Sequence, residues 1–439
     1  MPRILILGAG GRDFHDFMTV FRDDPDVHVV AFTAAQIPGI DDRRFPAEMA
    51  GPRYPEGIPI RPEEELEQLV SDHAVDEVVL SYSDLSYASV MHLAARVQAA
   101  GAGFRLLDPD LTMLRSDKPV IAVCATRTGT GKSQTSRRIG ELLRAAGLRV
   151  ALVRHPMPYG NLLAMRVQRF ETLADIDASD PTIEEREEYE EPVRRGLLVF
   201  AGVDYAAILA AAEAEADVVL WDGGNNDLPF FRPDLWITVD DALRAGHGLA
   251  YHPGEVNLRR AQVIVVSKVD SATPDQTAAA IAAVRSVNPA ATLVAAASEV
   301  TLEDGPALAG ARVLVVEDGP TLTHGGMAFG AGTVAARAHG AVDLVDPRPH
   351  LVGALAETYA KYPHLGVALP AMGYGAGQLA DLAATIDACR PDVVVTGTPI
   401  DLRRVLHVAA PVRHARYELA EVGRPDMTEI LTPWIDRWR

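Results

Sequence analysis

The sequence predicts an α/β protein in which helices cover parallel sheets. Three observations support this class. Short apolar runs rich in β-branched residues recur along the chain, as at residues 4–7, 120–123 and 263–266. Longer segments with helical spacing lie between these runs, and glycine-rich turns directly follow two of them. Buried strands that alternate with helices are typical of parallel sheets.

The chain is long enough for more than one core. At roughly 150 residues per domain, 439 residues predict about three. We place an N-terminal α/β unit at residues 1–117, a central unit at 118–310 and a small C-terminal α/β unit at 311–439.

Charge and cysteine content limit the partners. The chain has 41 basic and 60 acidic residues, and its net charge of −19 would repel nucleic acid and anionic membranes. Cys124 and Cys389 lack CxxC spacing, so neither a disulfide framework nor a zinc site is indicated. No apolar run reaches the ~18 residues of a membrane span. We expect a cytoplasmic protein, a homodimer by default, with small-molecule ligands and no nucleic-acid or membrane partner.

The first apolar run leads into a glycine turn at residues 8–13 that opens a helix. Such a turn directs backbone N–H groups at an anion. Asp13 occupies the third glycine position of a dinucleotide fingerprint, where a carboxylate would oppose a pyrophosphate. We therefore favour a structural turn in a Rossmann-like unit, with NAD binding as the alternative.

A second glycine-rich segment, TRTGTGKS at residues 126–133, connects a buried apolar run to a helical stretch. It matches the P-loop pattern except that Thr126 replaces the first glycine. In such a loop Lys132 bridges the β- and γ-phosphates, and the Ser133 hydroxyl binds Mg²⁺. We predict ATP binding, with GTP possible; a glycine-rich turn without a ligand is the alternative. The predicted nucleotide contacts are Gly129, Thr130, Gly131, Lys132, Ser133 and Gln134.

Arg127 stands where the deviant P-loops of the MinD and nitrogenase iron-protein class carry a second lysine. A planar guanidinium there could neutralise charge on a transferring phosphoryl group. The alternative is a surface arginine on a loop.

A further apolar run, residues 218–221, delivers Asp222 to the carboxyl edge of the sheet. This arrangement is typical of a Walker B strand, so we predict that Asp222 binds Mg²⁺, directly or through water. A simple turn would look similar. Asn225, Asn226 and Asp227 follow and are candidates for orienting substrate or water.

The segment 267–270 resembles the N-K-x-D loop with which GTPases read the base, although Ser267 replaces the asparagine. Lys268 and Asp270 are therefore predicted to contact the nucleotide, and the identity of the base stays open.

Other candidates lie on loops. Arg154 and His155 follow the strand after the P-loop helix, where cationic groups could face a substrate. His324, in the glycine-rich loop 317–327, could donate to phosphate or carry a proton near neutral pH; a structural histidine is the alternative. The acidic segment 184–191 is interpreted as a solvated helix face, with a lid or a magnesium site as alternatives.

Together these segments resemble the cyclic 2,3-diphosphoglycerate synthetase family over essentially the whole chain. The strings that carry the resemblance are GRDFH at 11–15, QIP at 36–38, YPEGIPI at 54–60, SDKPV at 116–120, TGKSQT at 130–135, RHPMPYG at 154–160, DGGNND at 222–227, VEDGPTLTHGGM at 316–327, PAMGYG at 370–375 and GTPIDLRR at 397–404.

The resemblance implies an ATP-dependent closure of 2,3-diphosphoglycerate into a cyclic phosphoanhydride, with release of ADP and phosphate. From the motifs described above, we assign the catalytic roles to Lys132, Arg127, Asp222 and His324. A small, anionic phosphorylated substrate would need several polar or cationic contacts. The candidates are Arg12, Arg154, His155, Asn225, Asn226, Arg403 and Arg404. Alternatives are a GTPase or metallochaperone-like regulator and a kinase of another phosphorylated acid.

Overall fold

Buried β-branched strands build two main sheets, and the predicted α/β class is confirmed. The computed structural model describes residues 1–34, 43–155, 160–371, 376–399 and 401–438. The resemblance strings at 36–38, 156–159 and 372–375 therefore lie outside the described residues, as does residue 400.

The N-terminal unit is a six-stranded sheet between helices. Its strands are β1 (Arg3–Leu7), β2 (His28–Ala34), β3 (Arg44–Phe45), β4 (Ile58–Pro62), β5 (Glu77–Leu80) and β7 (Gly103–Leu106), with a separate short strand β6 (Leu85–Ser86). Its helices are α1 (Arg12–Asp16), α2 (Ala47–Ala50), α3 (Leu66–Asp72), α4 (Tyr87–Ala99) and α5 (Pro109–Thr112). The strand order is β3-β4-β2-β1-β5-β7, and all neighbours are parallel except β3 and β4. Because β1 is buried on both faces, the unit has one apolar cluster on each side of the sheet.

The central unit contributes eight strands to a second sheet. They are β8 (Val120–Ala125), β9 (Val150–Arg154), β10 (Gln168–Phe170), β11 (Leu198–Ala201), β12 (Val218–Asp222), β13 (Leu235–Asp241), β15 (Val263–Ser267) and β16 (Thr292–Leu302), while β14 (Tyr251–His252) pairs with β6 of the N-terminal unit. The helices are α6 (Lys132–Ala145), α7 (Leu173–Ala178), α8 (Ile183–Arg194), α9 (Tyr205–Glu215), α10 (Gly254–Arg260) and α11 (Pro274–Val287).

The C-terminal segment continues this second sheet. Its strands are β17 (Val313–Asp318), β18 (Leu369–Ala371), β19 (Val393–Gly397) and β20 (Val412–Val422); its helices are α12 (Gly319–Leu322), α13 (Ala331–Ala338), α14 (Ala354–Lys361), α15 (Ala376–Cys389) and α16 (Met427–Trp438). The order of the twelve strands is β10-β11-β9-β12-β8-β13-β15-β16-β20-β19-β17-β18. β16 and β20 pair antiparallel from Ala295 with Val422 to Leu302 with Ala415. The boundary predicted at residue 310 therefore does not coincide with a break in the sheet.

Parallel pairing brings the ends of β8, β12 and β13 to one edge of this sheet. Loops that carry polar residues follow each of these strands, as expected at the carboxyl edge of an α/β sheet. In the described ranges, no helix is both long and apolar enough to cross a membrane.

Candidate active site

A cavity of about 340 Å³ lies where the three units meet. The N-terminal turn 8–13 and residues 81–83 form one wall, and the P-loop with the loop after β12 forms a second. Residues from the segment 317–334 form a third. Most residues singled out in the sequence therefore face one space.

The P-loop has the predicted strand, loop and helix. Gly129 and Gly131 have φ of 76° and 107°, a backbone region that favours glycine. Thr126 explains the departure from the sequence pattern, because its side chain is used in the fold. Its Oγ1 donates to Asp240 Oδ1 at 2.8 Å, and its carbonyl accepts from Asn226 Nδ2 at 3.0 Å.

Lys132 and Arg154 both donate to the carboxylate of Asp222, and Lys132 also donates to the carbonyl of Gly223. Burial alone would raise the pKa of Asp222, but Arg154 and Lys132 outweigh it and hold that pKa below its usual value. Asp222 is thus an ionised carboxylate beside the P-loop, and Ser133 lines the same cavity. One carboxylate and one hydroxyl fit the way proteins hold Mg²⁺ together with nucleotide phosphates.

Arg127 is tied to all three units. Its Nε donates to Asp84 Oδ1 at 2.6 Å, its Nη1 to His247 Nδ1 at 2.9 Å and its Nη2 to the carbonyl of His324 at 2.9 Å. The guanidinium also lies 3.5 Å from the centroid of the Tyr251 ring. This set of partners favours a role in holding the loops together, in place of the free cation expected from the sequence.

A second arginine reinforces that junction. Arg244 donates to the carbonyls of Gly325 and Thr128 at 2.6 and 2.9 Å, and its Nε donates to Asp241 at 3.0 Å. Arg244 therefore bridges the glycine-rich loop that contains His324 and the P-loop. The His324 ring itself lines the cavity.

His155 is enclosed by two glycines. A Cβ at Gly11 would lie 1.7 Å from its Cε1, and one at Gly224 would lie 3.0 Å from its Cδ2. Burial lowers the pKa of His155, although Asp227 opposes the shift. The ring is therefore neutral at pH 7, not the cation expected from the sequence.

The N-terminal turn binds its own carboxylate. Asp13 accepts from the N–H groups of Gly10, Gly11 and Phe14 at 2.8, 3.2 and 2.8 Å. These donors are the ones that a dinucleotide phosphate would need, so the structural interpretation of the turn is favoured over NAD binding. Arg12 lines the cavity and donates to the carbonyl of Leu228 at 3.2 Å.

The loop after β15 supports the P-loop from behind. Ser267 Oγ donates to the carbonyl of Thr130 at 2.5 Å, and Lys268 Nζ donates to that of Gly129 at 2.6 Å. Asp270 Oδ1 accepts from the Ser298 N–H at 2.9 Å, and Asp270 is not among the residues that line the cavity. Lys268 and Gln134 do line it.

Three residues that the sequence predicted to bind the substrate do not line the cavity. Arg403 pairs with Asp401 and Glu303 at 2.6 and 2.8 Å, and Arg404 pairs with Glu190; neither arginine lines the cavity. Asn226, fully buried, binds the P-loop strand and also lies behind the wall, whereas Asn225 faces the cavity.

The acidic segment is only partly a solvated face. Glu185, Tyr189 and Glu190 of α8 are buried. Glu188 lines the cavity and pairs with Arg154. Sequence periodicity missed this because a run of carboxylates carries no apolar signal for the buried side.

Sequence reasoning also missed Asp84 and Glu317. Glu317 accepts from the N–H groups of Gly330, Gly332 and Thr333, and it thereby fixes the start of α13 in the cavity wall. Both acids stand at or near the end of an apolar run, the same signal that identified Asp222.

No family model matches the chain. The arginine synthetase ArcE of Thermococcus kodakarensis (strain ATCC BAA-918 / JCM 12380 / KOD1) is 55% identical over 432 residues, which are 98% of this chain and 96% of that protein.

Two solved structures are similar at low level. LpxK from Aquifex aeolicus, solved in complex with ATP, has 14% sequence identity and a TM-score of 0.43. The aligned region covers 85% of this chain and 99% of the LpxK chain. A DUF1611 protein from Anabaena variabilis has 12% identity and a TM-score of 0.24, covering 67% and 95%. Neither bears on function. The resemblance to a synthetase is confirmed, while the cyclic 2,3-diphosphoglycerate product stays a prediction. At 55% identity over 98% of its length, the chain belongs to the family of the arginine synthetase ArcE.

Proposed function

We propose that this chain is an ATP-dependent synthetase that forms arginine by phosphoryl activation of a precursor. The observation that carries the proposal is the shared cavity. Its P-loop wall suits nucleotide phosphates, and its N-terminal wall suits a small polar substrate, in a chain 55% identical to an arginine synthetase.

The chemistry follows from the product. A guanidinium differs from a ureido group by the exchange of one oxygen for nitrogen, and a ureido oxygen is a poor leaving group. In the proposed first step the ureido oxygen of citrulline attacks the γ-phosphorus of ATP, and ADP departs with the bridging oxygen. Ammonia then attacks the activated carbon, the C–O bond breaks, and phosphate leaves with the electron pair of that bond and takes up one proton from the new nitrogen.

The residues divide this work. Residues 129–133 would surround the phosphates. Lys132, which donates to Asp222 in this structure, would donate to the β- and γ-phosphate oxygens when the nucleotide is bound. Ser133 and Asp222 would hold Mg²⁺, which neutralises phosphate charge when bound. His155 and Asn225 face the cavity next to the P-loop and would orient the acceptor. Arg127 would hold the loops that form the site and would not itself contact the transferring group.

ATP is the nucleotide that we propose, with GTP as the competitor. The carboxylate that would recognise guanine belongs to Asp270, which accepts the Ser298 N–H and does not line the cavity. This arrangement gives guanine no evident advantage.

Ring closure of 2,3-diphosphoglycerate is the second candidate, favoured by the number of cations at the cavity. Six of them are Arg12, Arg127, Lys132, Arg137, Arg154 and Lys268. Arg137 donates to the carbonyl of Tyr417 at 3.4 Å, and each of the other five has a carboxylate within ion-pair distance, the acids being Asp16, Asp84, Asp222 and Asp241. Such pairing leaves little net positive charge for a substrate with two phosphates and a carboxylate, and it suits a zwitterionic amino acid better.

The test is turnover of ATP or GTP with Mg²⁺ by purified protein. Citrulline with ammonium chloride is compared with 2,3-diphosphoglycerate, and products are identified by mass spectrometry and phosphorus NMR. We expect arginine and ADP only from the first mixture, and none from Lys132→Ala. A cyclic phosphoanhydride from the second mixture, without arginine from the first, would reverse the order of the two candidates.

A further inference from the structure

Asp227 is a buried carboxylate in the cavity wall, and no counter-ion for it lies among the residues that the structure describes. The residue is 7% exposed and lines the cavity. Within the described ranges, neither a hydrogen bond nor an ion pair reaches its carboxylate, although its backbone is bonded. Buried charges in proteins are almost always paired, so a ligand is the natural source of the partner.

Hydrogen bonds hold the backbone at Asp227 and at its neighbour Asn226. Its N–H donates to the carbonyl of Gly224 at 3.0 Å. Asn257 Nδ2 donates to the carbonyl of Asn226 at 2.8 Å, and Asn226 in turn donates to Thr126 of the P-loop. A side chain held by such a backbone is preorganised for a ligand, and it lies five residues from Asp222.

The neighbouring arginine does not neutralise it. Arg12 Nη1 donates to the carbonyl of Leu228, its Nη2 to Thr112 Oγ1, and its Nε lies 3.6 Å from Asp16. Burial raises the pKa of Asp16 to about 6, and Asp227 adds to this rise while Arg12 opposes it. Since His155 is neutral, this end of the cavity holds more negative than positive charge.

We propose that Asp227 binds a protonated nitrogen of the acceptor substrate and so determines which acceptors the enzyme takes. This inference rests on the proposed function for the identity of the ligand. Two nitrogens share the required chemistry: the ammonium that supplies the new N–H groups, and the α-ammonium group of the amino acid. A carboxylate at this point would also attract the guanidinium of the product.

The experiment compares Asp227→Asn, which keeps shape and removes charge, with Asp304→Asn, which removes an exposed carboxylate outside the cavity. KM is measured separately for ammonium, citrulline and ATP at a fixed excess of Mg²⁺, and the Mg²⁺ concentration that gives half-maximal turnover is measured in a separate titration. We expect Asp227→Asn to raise the KM of one nitrogen substrate by roughly 30-fold or more, as for loss of one partner of a buried charge pair. The KM of ATP should stay within about twofold. The substrate whose KM rises identifies the nitrogen.

Two outcomes would overturn the inference. Unchanged KM values for both nitrogen substrates would do so, and so would a shift confined to the Mg²⁺ requirement, which would make Asp227 a metal ligand. Asp227→Glu, which keeps the charge, should retain more of the affinity than Asp227→Asn. If Asp227→Asn does not fold by circular dichroism, Asp227→Ser, which also removes the charge, takes its place, with the same expected rise in KM.

Binding without turnover separates this inference from the proposed function. Calorimetry with L-arginine tests whether the wild type binds the product and whether Asp227→Asn loses that binding. If no arginine is ever synthesised but arginine still binds through Asp227, the proposed function fails and the cation site stands. If arginine is synthesised while Asp227→Asn matches wild type for both nitrogen substrates, the cation site fails and the function stands.

Discussion

The buried pair of Arg127 and Asp84 gives the sharpest test of how the three units are joined. Both side chains are buried, with 5% and 4% exposure, and Arg127 Nε lies 2.6 Å from Asp84 Oδ1. Removing one partner of a buried pair costs about 3–5 kcal/mol, because the other charge is left uncompensated. We therefore expect Arg127→Met and Asp84→Asn each to lower the free energy of unfolding by about 3 kcal/mol. The double variant should lose much less than the sum, with a coupling of about 2 kcal/mol.

The assay is urea unfolding followed by tryptophan fluorescence. All four tryptophans lie in, or pack against, the cores of the central unit, so their emission reports on it. The matched control is Arg96→Met with its exposed partner Glu67, where about 1 kcal/mol or less is expected. Arg127→Met and Asp84→Asn should also lose turnover in parallel. The reasoning is refuted if Arg127→Met abolishes turnover at unchanged stability while Asp84→Asn keeps both, since Arg127 would then act on the phosphate itself.

Three further predictions concern single sites. Gly11→Ala should abolish turnover, because its Cβ would overlap the His155 ring. The control Gly377→Ala, whose Cβ would enter open space, should leave turnover unchanged. Equal activity of the two variants in the turnover assay would contradict this packing. Arg403→Ala should change KM values by less than about twofold, since the residue lies on the surface outside the cavity; a tenfold loss in steady-state kinetics would restore the sequence-based role. Burial lowers the pKa of His15 from 6.5 to about 3, so the folded state binds fewer protons and stability falls as pH drops below about 6.5. Near pH 5 this effect gives the free energy of unfolding a slope of about 1.4 kcal/mol per pH unit, which His15→Phe should remove. The slope is measured by urea unfolding between about pH 4.5 and 6.5. A slope that His15→Phe leaves unchanged would show that the ring already titrates in the folded state.

The fold class and the main wall of the site were predictable because they depend on local patterns. One apolar run leads into the P-loop and another ends at Asp222, and both signal strand ends at the carboxyl edge of a sheet, where the structure has them. The partner of β16 was not predictable, since an antiparallel pairing with β20 depends on residues more than 110 positions apart.

The pairing of charged side chains was the other feature that the sequence did not reveal. A sequence shows that Arg127 and Arg154 are cations, but not that Asp84, Asp222 and Glu188 already face them. Arg403 was predicted to bind the substrate for the same reason, because the sequence does not show its ion pairs with Asp401 and Glu303. Only tertiary packing decides which charge is left without a partner, as the described residues leave Asp227.

The central claim is that phosphoryl transfer activates an oxygen that nitrogen then replaces. The most direct measurement uses citrulline labelled with ¹⁸O in the ureido group, together with ATP, Mg²⁺ and ¹⁵N-ammonium. The account predicts arginine that carries one ¹⁵N and inorganic phosphate that carries the ¹⁸O, neither of which forms with Lys132→Ala. Phosphate released without ¹⁸O, or ATP turnover that ignores citrulline, would contradict it.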